Sequence, residues 1–394
     1  MATTFEPKAR AVAPSRRIRQ IGFSEIAKVR EAIDLLRQQG HKVFELHGGE
    51  PFFETPDVIK AAAGKSLAEN KTRYPPTAGI APLRELVASK LAGSNRISAS
   101  PEQVVITNGG IHGLYCSFQA MLDPGDEVLV FAPYWTPIHD LILLSGARPV
   151  TVSTGTARDR GFAKTLAAHA TAATRIIYVN TPQNPSGYVL PRAQMEEIAQ
   201  FALERDLGVI ADEAYEDLVF EGEHISIASL PGMAERTLTC FTFSKSYSMT
   251  GWRVGYVAGP ESWMTHLTKL ALYTTTGVNN TGQWAAVAAL QSAPEELTRR
   301  REEYRRRREL LVGGLRSLGL QIEMPAGAFY AFPQIPPTYQ NSHSFADVLL
   351  QKARVSVVPG VVFGAEGERH VRMTFSTKPE VIEGAVDAMA KLLA

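Results

Sequence analysis

The chain has 394 residues, 45% of them apolar and 21% charged, a globular composition long enough for two domains with large cores. Its formal net charge of +1 gives no electrostatic reason to expect nucleic acid or an anionic membrane as partner. No apolar run approaches the ~18 residues of a membrane span, and Cys116 and Cys240, set in apolar runs without CxxC spacing, read as free core thiols.

Residues 1–20 are small, proline-bearing and basic, and read as a mobile or partner-draped arm. Ser15-Arg16-Arg17 imitates a twin-arginine export signal. The charged amphipathic pattern from Ile18 to Leu36 leaves no apolar segment for one, so a cytoplasmic protein is expected. Ser24 to Gln39 predicts a helix, capped by Ser24, striped by Ile26, Val29, Ile33 and Leu36, and stopped by Gly40. A strand at Val43–Leu46 leads to His47-Gly48-Gly49-Glu50-Pro51, and between Pro56 and Leu91 two helical segments flank a polar loop, Asn70–Gly79. Gly64-Lys65-Ser66 resembles the end of a P-loop, but the upstream glycine would fall at Ile59 and no strand precedes it.

Strand-type and helix-type runs then alternate: Val104–Thr107, a helix Gly110–Met121, Glu127–Phe131, a helix from Pro137, Pro149–Val152, Arg175–Asn180, a helix Arg192–Arg205, Gly208–Ala211 and Thr237–Phe243. Such alternation predicts a mostly parallel sheet wrapped by helices, with ligands at the carboxyl ends of its strands. Beyond Gly282 the pattern changes. A charged helical tract, Pro294–Leu318, precedes strand-type runs at Ile322–Met324, Ala328–Phe332, Val355–Val358 and Val371–Phe375. Arg305 to Arg308, interleaved with Glu302, Glu303 and Glu309, read as a solvated helix face. The expected fold is α/β: a large domain over 48–282 and a smaller α/β domain from 1–47 and 283–394.

The chemistry centres on Thr242-Phe243-Ser244-Lys245-Ser246, with Arg253 opening a further strand-type run to Ala258. A lysine at the end of a buried strand is costly as an ammonium. Desolvation and neighbouring cations lower its pKa until the free amine can form a Schiff base. The hydroxyls of Thr242, Ser244 and Ser246 and the fork of Arg253 suit a phosphate, so the stretch points to pyridoxal phosphate. Asn108-Gly109-Gly110 places backbone N–H groups and a helix start after a strand, where an anion can sit. Asp212, after strand 208–211, either caps a helix or stabilises a protonated pyridine nitrogen. Tyr215 and Asn184 are placed to hydrogen-bond the ring's phenolic oxygen, although Thr181-Pro182-Gln183-Asn184-Pro185 by itself is a turn. Trp135 is the candidate to stack on the ring face, with Tyr134 as the alternative and a core role as the plainer reading. Arg372, inside an apolar strand, requires an acidic partner or a ligand carboxylate.

On these residues the sequence resembles the class I and II aminotransferases, the fold type I pyridoxal-phosphate enzymes. Within them it is similar to the aspartate/aromatic/kynurenine-type subgroup marked by Ser-Lys…Met-Thr-Gly-Trp-Arg, here Ser244-Lys245 and Met249 to Arg253. The resemblance runs from Gly49 to Arg372. It implies phosphate contacts from the backbone at Gly110 and Ile111, beside Gly109, and from Thr242, Ser244 and Arg253. It gives Arg372 the substrate carboxylate, assisted by Asn184 and the backbone of Gly49. Tyr74 matches a tyrosine that reaches the neighbouring subunit's phosphate site, which implies a homodimer with shared sites. Gly49-Glu50-Pro51 fits the family motif, but Phe52 replaces its usual aspartate.

The implied reaction is ping-pong transamination, in which Lys245 first holds the cofactor and then acts as general base while Asp212 keeps the ring protonated. The oxo acid acceptor of many members is 2-oxoglutarate. Members preferring acidic substrates can carry lysine where this chain has Ile111, and Ala271–Gln283 contains no Lys or Arg. Ile21, Phe23, Ile111, Tyr330 and Phe332 furnish an apolar pocket, so a neutral aromatic or aliphatic substrate is expected over aspartate. A C–S lyase on the same scaffold is the nearest alternative. A DNA-binding regulator is not expected, because residues 1–20 leave no room for its module, and the intact set of site residues argues against a binding-only relic.

Overall fold

Short runs rich in valine and isoleucine, punctuated by amphipathic ones, form strands that are buried on both faces. A computed structural model describes residues 13–23, 25–292 and 294–393. Its strands are β1 Phe44–Glu45, β2 Val104–Thr107, β3 Glu127–Ala132, β4 Arg148–Ser153, β5 Thr174–Asn180, β6 Gly208–Asp212, β7 Thr237–Thr242, β8 Gly255–Ala258, β9 Tyr330–Ala331, β10 Val355–Ser356, β11 Val358–Pro359 and β12 Val371–Thr374. Seven of them form one sheet in the order β2-β8-β7-β6-β5-β3-β4. All run parallel except β8, which is antiparallel to both neighbours. Alternation along β5 sends Ile177 and Val179 into one core with Phe162 and Met195, and Ile176 and Tyr178 into the opposite core with Leu114 and Phe118. The expected mostly parallel sheet is present.

The smaller assembly pairs β1 with β10 and stacks β11-β12-β9 as an antiparallel sheet. Helices Pro294–Ser317 and Pro379–Leu393 cover it, burying Leu311, Leu315, Ile382 and Met389 against Val371 and Met373. The N-terminal helix, Glu25–Gln38, packs Ile33 and Leu36 on Leu350. Its expected cap Ser24, the side chain of Ile26 and residues 1–12 of the expected arm lie outside the described residues.

Several expectations need correction. Residues 322–324 form no strand: Glu323 reaches out to pair with Arg158, and Pro325 removes a ladder donor. The eighth strand begins at Gly255 rather than Arg253, because Arg253 sits in the left-handed region at φ 55°. Helices Thr154–Arg160, Phe162–His169, Glu261–Thr275 and Asn280–Ser292 were not anticipated. The last crosses residue 282 unbroken, and its Ala285, Ala286 and Ala289 share a core with Ile59 and Ile106. The arginine cluster is not uniformly solvated. Arg307 and Arg308 are buried, as is Arg300 about two turns earlier; Arg307 is paired to Glu303 and Arg308 to Glu221. Interleaved glutamates at i−4 made burial of Arg300 and Arg307 feasible by supplying carboxylate partners from the same helix.

Candidate active site

The carboxyl ends of the strands open into a cavity of about 490 Å³. Lining it are Gly110, Ile111, Trp135, Asn184, Asp212, Tyr215, Thr242, Ser244, Lys245, Arg253, Gly49 and Arg372, so segments scattered over the whole chain converge there. This is where open α/β sheets bind ligands.

One end of the cavity is built for an anion. Gly109 turns the chain at φ 76°, and helix Gly110–Met121 starts immediately after it. The first-turn N–H groups have no acceptor within that helix, and its dipole favours negative charge there. A side chain at Gly109 would overlap the Arg253 guanidinium, which is why the turn needs glycine. Thr242 donates to Ser244 Oγ at 2.9 Å, and Arg253 Nη1 donates to the carbonyl of Thr250 at 2.8 Å, leaving the rest of the fork for a ligand.

At the centre stand Asp212 and Lys245. Asp212 ends β6, where its Oδ2 accepts from Tyr178 at 2.7 Å and its Oδ1 from the N–H of Ala214 at 3.2 Å. Burial pushes its carboxyl up to about 6 against those hydrogen bonds. Lys245 donates to the carbonyl of Gly49 at 2.7 Å. Burial, reinforced by the guanidiniums of Arg372 and Arg253, brings its amine down to about 8. Tyr215 and Tyr330 share a hydrogen bond at 3.0 Å, and burial holds the Tyr215 phenol well above its usual range.

At the other end lies Arg372, 2% exposed. It donates from Nη1 to Asn184 Oδ1 at 3.1 Å and from Nη2 to the carbonyl of His47 at 2.9 Å. The guanidinium lies 4.4 Å from the Tyr330 ring centre and 5.0 Å from that of Phe363. Its Nε has no partner, and among the described residues the charges felt by Arg372 come from Tyr330 and Tyr215, not from a carboxylate. A buried guanidinium without an anion implies a ligand that brings one.

Some predicted residues fall elsewhere. Tyr74 is 88% exposed and does not line this chain's own cavity. Trp135 lines the cavity, whereas Tyr134 faces a different pocket with Phe131 and Tyr188 and stacks on His139. Of the expected apolar pocket, Ile111 and Tyr330 line the cavity. Phe332 instead stacks on His370, because β9 ends at Ala331 and the alternation stops. Phe23 is exposed and Ile21 half-buried, neither in the lining. Sequence reasoning missed Tyr178 and Asn180. Asn180 pairs with Asp212 across the sheet, and its amide bonds both the Asp212 carbonyl and the Asn184 N–H. Polar groups at alternate positions late in the apolar strand 174–180 were the available signal.

The donor set suits pyridoxal phosphate: a helix start with two hydroxyls and an arginine for phosphate, a buried carboxylate for a ring nitrogen, and a lysine whose amine is brought down to about 8. The comparisons agree. Residues 41–389 match the family described as aminotransferase class I and II. The chain is 39% identical to the aspartate/prephenate aminotransferase of Thermus thermophilus over 96% of this chain and 98% of that one. It is also 39% identical to aromatic-amino-acid aminotransferase 2 of Thermococcus litoralis, over 97% and 98%. The solved structure of Thermus thermophilus aspartate aminotransferase with maleate superposes with a TM-score of 0.92 at 37% identity, covering 97% of this chain and 100% of that one. A shared fold, a matching site and near full-length similarity lead to one conclusion: the chain belongs to the class I and II aminotransferases and is a pyridoxal-phosphate-dependent transaminase.

Proposed function

We propose that this transaminase takes L-amino acids with neutral, aromatic or aliphatic side chains, and that Arg372 receives their α-carboxylate. The observation that carries the reading is the buried Arg372 with no acidic partner among the described residues, opening onto the same cavity as Lys245. Asn184 and the backbone of Gly49 complete the carboxylate site. Lys245 would hold the cofactor and, once freed, its amine would serve as the general base that takes the proton from substrate Cα. Burial and the neighbouring guanidiniums bring its amine down to about 8, so more of it is free base near neutrality than for an ordinary lysine. Bound there, pyridoxal 5′-phosphate supplies the electron sink for the pair left on Cα. Asp212 would pair with the ring nitrogen, Tyr215 and Asn184 would hold the ring oxygen, and Trp135 would pack against the ring. Gly110, Ile111, Thr242, Ser244 and Arg253 bind phosphate, with Gly109 shaping the turn.

Neutral specificity is supported by charge. The cations lining the cavity are Lys245, Arg253 and Arg372, each with a role already, and Glu50 adds a negative charge. Ile111 and Tyr330 offer apolar surface instead. The test is to add single amino acids to the holoenzyme and follow bleaching of its visible absorbance. Phenylalanine, leucine or methionine should react fastest; aspartate far ahead of all three would overturn the substrate assignment.

Two further readings accompany this one. The active unit is a homodimer in the cytoplasm, with Tyr74 serving the partner's phosphate site. Support comes from the exposure of Tyr74, Leu272 and Tyr273, and among the described residues no helix is long and apolar enough to cross a membrane. Mixing inactive Tyr74→Ala and Lys245→Ala chains should restore partial activity through hybrid dimers if the sites are shared. The chain divides into a large cofactor-binding part and a small part holding the N-terminal helix and the C-terminal α/β region. The helix Asn280–Ser292 goes with the large part because its buried alanines pack there.

A further inference from the structure

The loop over residues 46–56 has no regular secondary structure, yet its carbonyls meet two central cations. Gly49 accepts from Lys245 at 2.7 Å and His47 accepts from Arg372 at 2.9 Å. Backbone bonds to Ser356 and Thr374 fix the loop only at Leu46, so another element must hold the rest in place. The long helix Pro294–Ser317 does so through Arg300, Tyr304 and Arg307, which share one face at i, i+4 and i+7.

Each of the three reaches two segments of the site. Arg300 donates to the carbonyl of Glu54 at 2.8 Å and to Ser248 Oγ at 2.7 Å, on the turn that carries Lys245. The Tyr304 hydroxyl accepts from the Phe52 N–H at 3.0 Å and meets Ser376 Oγ at 3.2 Å. Arg307 lies 3.8 Å from the Phe52 ring centre and donates to the carbonyl of Thr377 at 2.6 Å, just beyond the strand that carries Arg372. Phe53 sits edge-on to Phe52 at 5.4 Å and to Tyr304 at 5.3 Å, with Arg300 5.1 Å from its ring centre. Ser376 closes the circuit by donating to the carbonyl of Glu50 at 2.8 Å. Glu296 and Glu303 bind the two arginines at their Nε edges, at 2.7 and 2.9 Å, which leaves the flat faces for the phenylalanines.

We infer that Arg300, Tyr304 and Arg307, stacked on Phe52 and Phe53, form a positioning clamp that sets the distance between the Arg372 carboxylate receptor and the Lys245 amine. Phe52 stands where the family motif has aspartate, and its stack under Arg307 is what that replacement does in this chain. The clamp rests on the roles proposed for Lys245 and Arg372, and it acts through them rather than on the substrate.

The experiment compares holoenzymes of wild type, Phe52→Leu, Phe52→Tyr and Arg307→Lys. Leucine keeps apolar bulk without an aromatic face, tyrosine restores the face, and lysine keeps the charge without the plane. The readouts are KM and kcat with phenylalanine, the Kd of 3-phenylpropionate by absorbance titration, and the pH midpoint of the visible band. Phe52→Leu and Arg307→Lys should each raise KM and Kd about tenfold and shift the midpoint, while Phe52→Tyr stays within twofold of wild type. The clamp is refuted if Phe52→Leu leaves KM, Kd and midpoint unchanged, or if tyrosine behaves as badly as leucine. Should Phe52→Leu fail to fold, an Arg307→Lys enzyme with wild-type KM and midpoint refutes it equally. A wild type that turns over phenylalanine but ignores 3-phenylpropionate would instead bring down the carboxylate assignment of Arg372, and the clamp with it.

Discussion

At the phosphate end of the cavity, Asp212 and Thr242 end strands of one sheet, and Gly110 opens the helix that follows another strand of it. At the carboxylate end β12 delivers Arg372, but its guanidinium is held by Asn184 and His47, residues 188 and 325 positions away in the chain, and past Leu46 the supporting loop has no ladder. The first end is preorganised by one large sheet; the second joins a small sheet to contacts between distant segments. Groups that stabilise developing charge act best when fixed before the reaction begins, and a sheet provides that. A receptor that admits and releases substrate can sit on a junction between two assemblies, where packing is more local.

That contrast can be broken by kinetics. Lys245→Arg should show the largest effect, a fall in transamination on the order of 10²–10⁴-fold from loss of the general base alone, together with loss of the cofactor's visible band. Asp212→Asn should lower kcat on the order of 10²–10³-fold, the range for removing one buried electrostatic partner, with little change in KM. Arg372→Gln should weaken binding of amino acids and carboxylate analogues by about 2–5 kcal/mol, read as a rise in KM. If Arg372→Gln instead lowered kcat at constant KM, the division of labour between the two ends would fail.

The pH dependence sharpens the comparison, because it links the ends. Lys245 in the cofactor-free protein is brought down to about 8, first by burial and then by Arg372. Lowering means that the neutral, reactive amine predominates above about pH 8, not above the usual lysine range. Cofactor uptake, followed by stopped-flow absorbance, should therefore rise with pH through that value. Removing the Arg372 charge should move the midpoint upward. An unmoved midpoint would mean that the two ends are electrostatically independent. The smallest expected effect is that of Ile111→Lys. An exposed ion pair contributes about 0.2–1 kcal/mol, so kcat/KM for aspartate should rise only a few-fold while that for phenylalanine holds.

The cofactor end was legible from local order. Lys245 and Asp212 each follow an apolar run directly, Gly109 and Gly110 precede a helical pattern, and strand ends are where such sheets bind ligands. The carboxylate end was legible only in part. An arginine in the strand 371–374 signalled an unmet charge, but nothing in its neighbourhood named His47 as a partner or Phe363 as a neighbouring ring. Period alone misread the long helix as well. Arg307 and Arg308 looked like part of a solvated face because pattern counts charges without showing which find partners inside the fold.

By itself, then, the chain determined its alternating architecture, the strand-end chemistry and the need for a phosphate and a carboxylate ligand. These depend on periodicities and side-chain types within a few residues of one another. Only tertiary structure decided that Trp135 rather than Tyr134 lines the site, that Phe332 turns to His370, and that one helix bolts Phe52, Ser248 and Thr377 together. The physical reason is contact range. Helix and strand formation are settled by hydrogen bonds and burial along the local chain, whereas the direction a side chain faces at a junction depends on what distant segments bring against it.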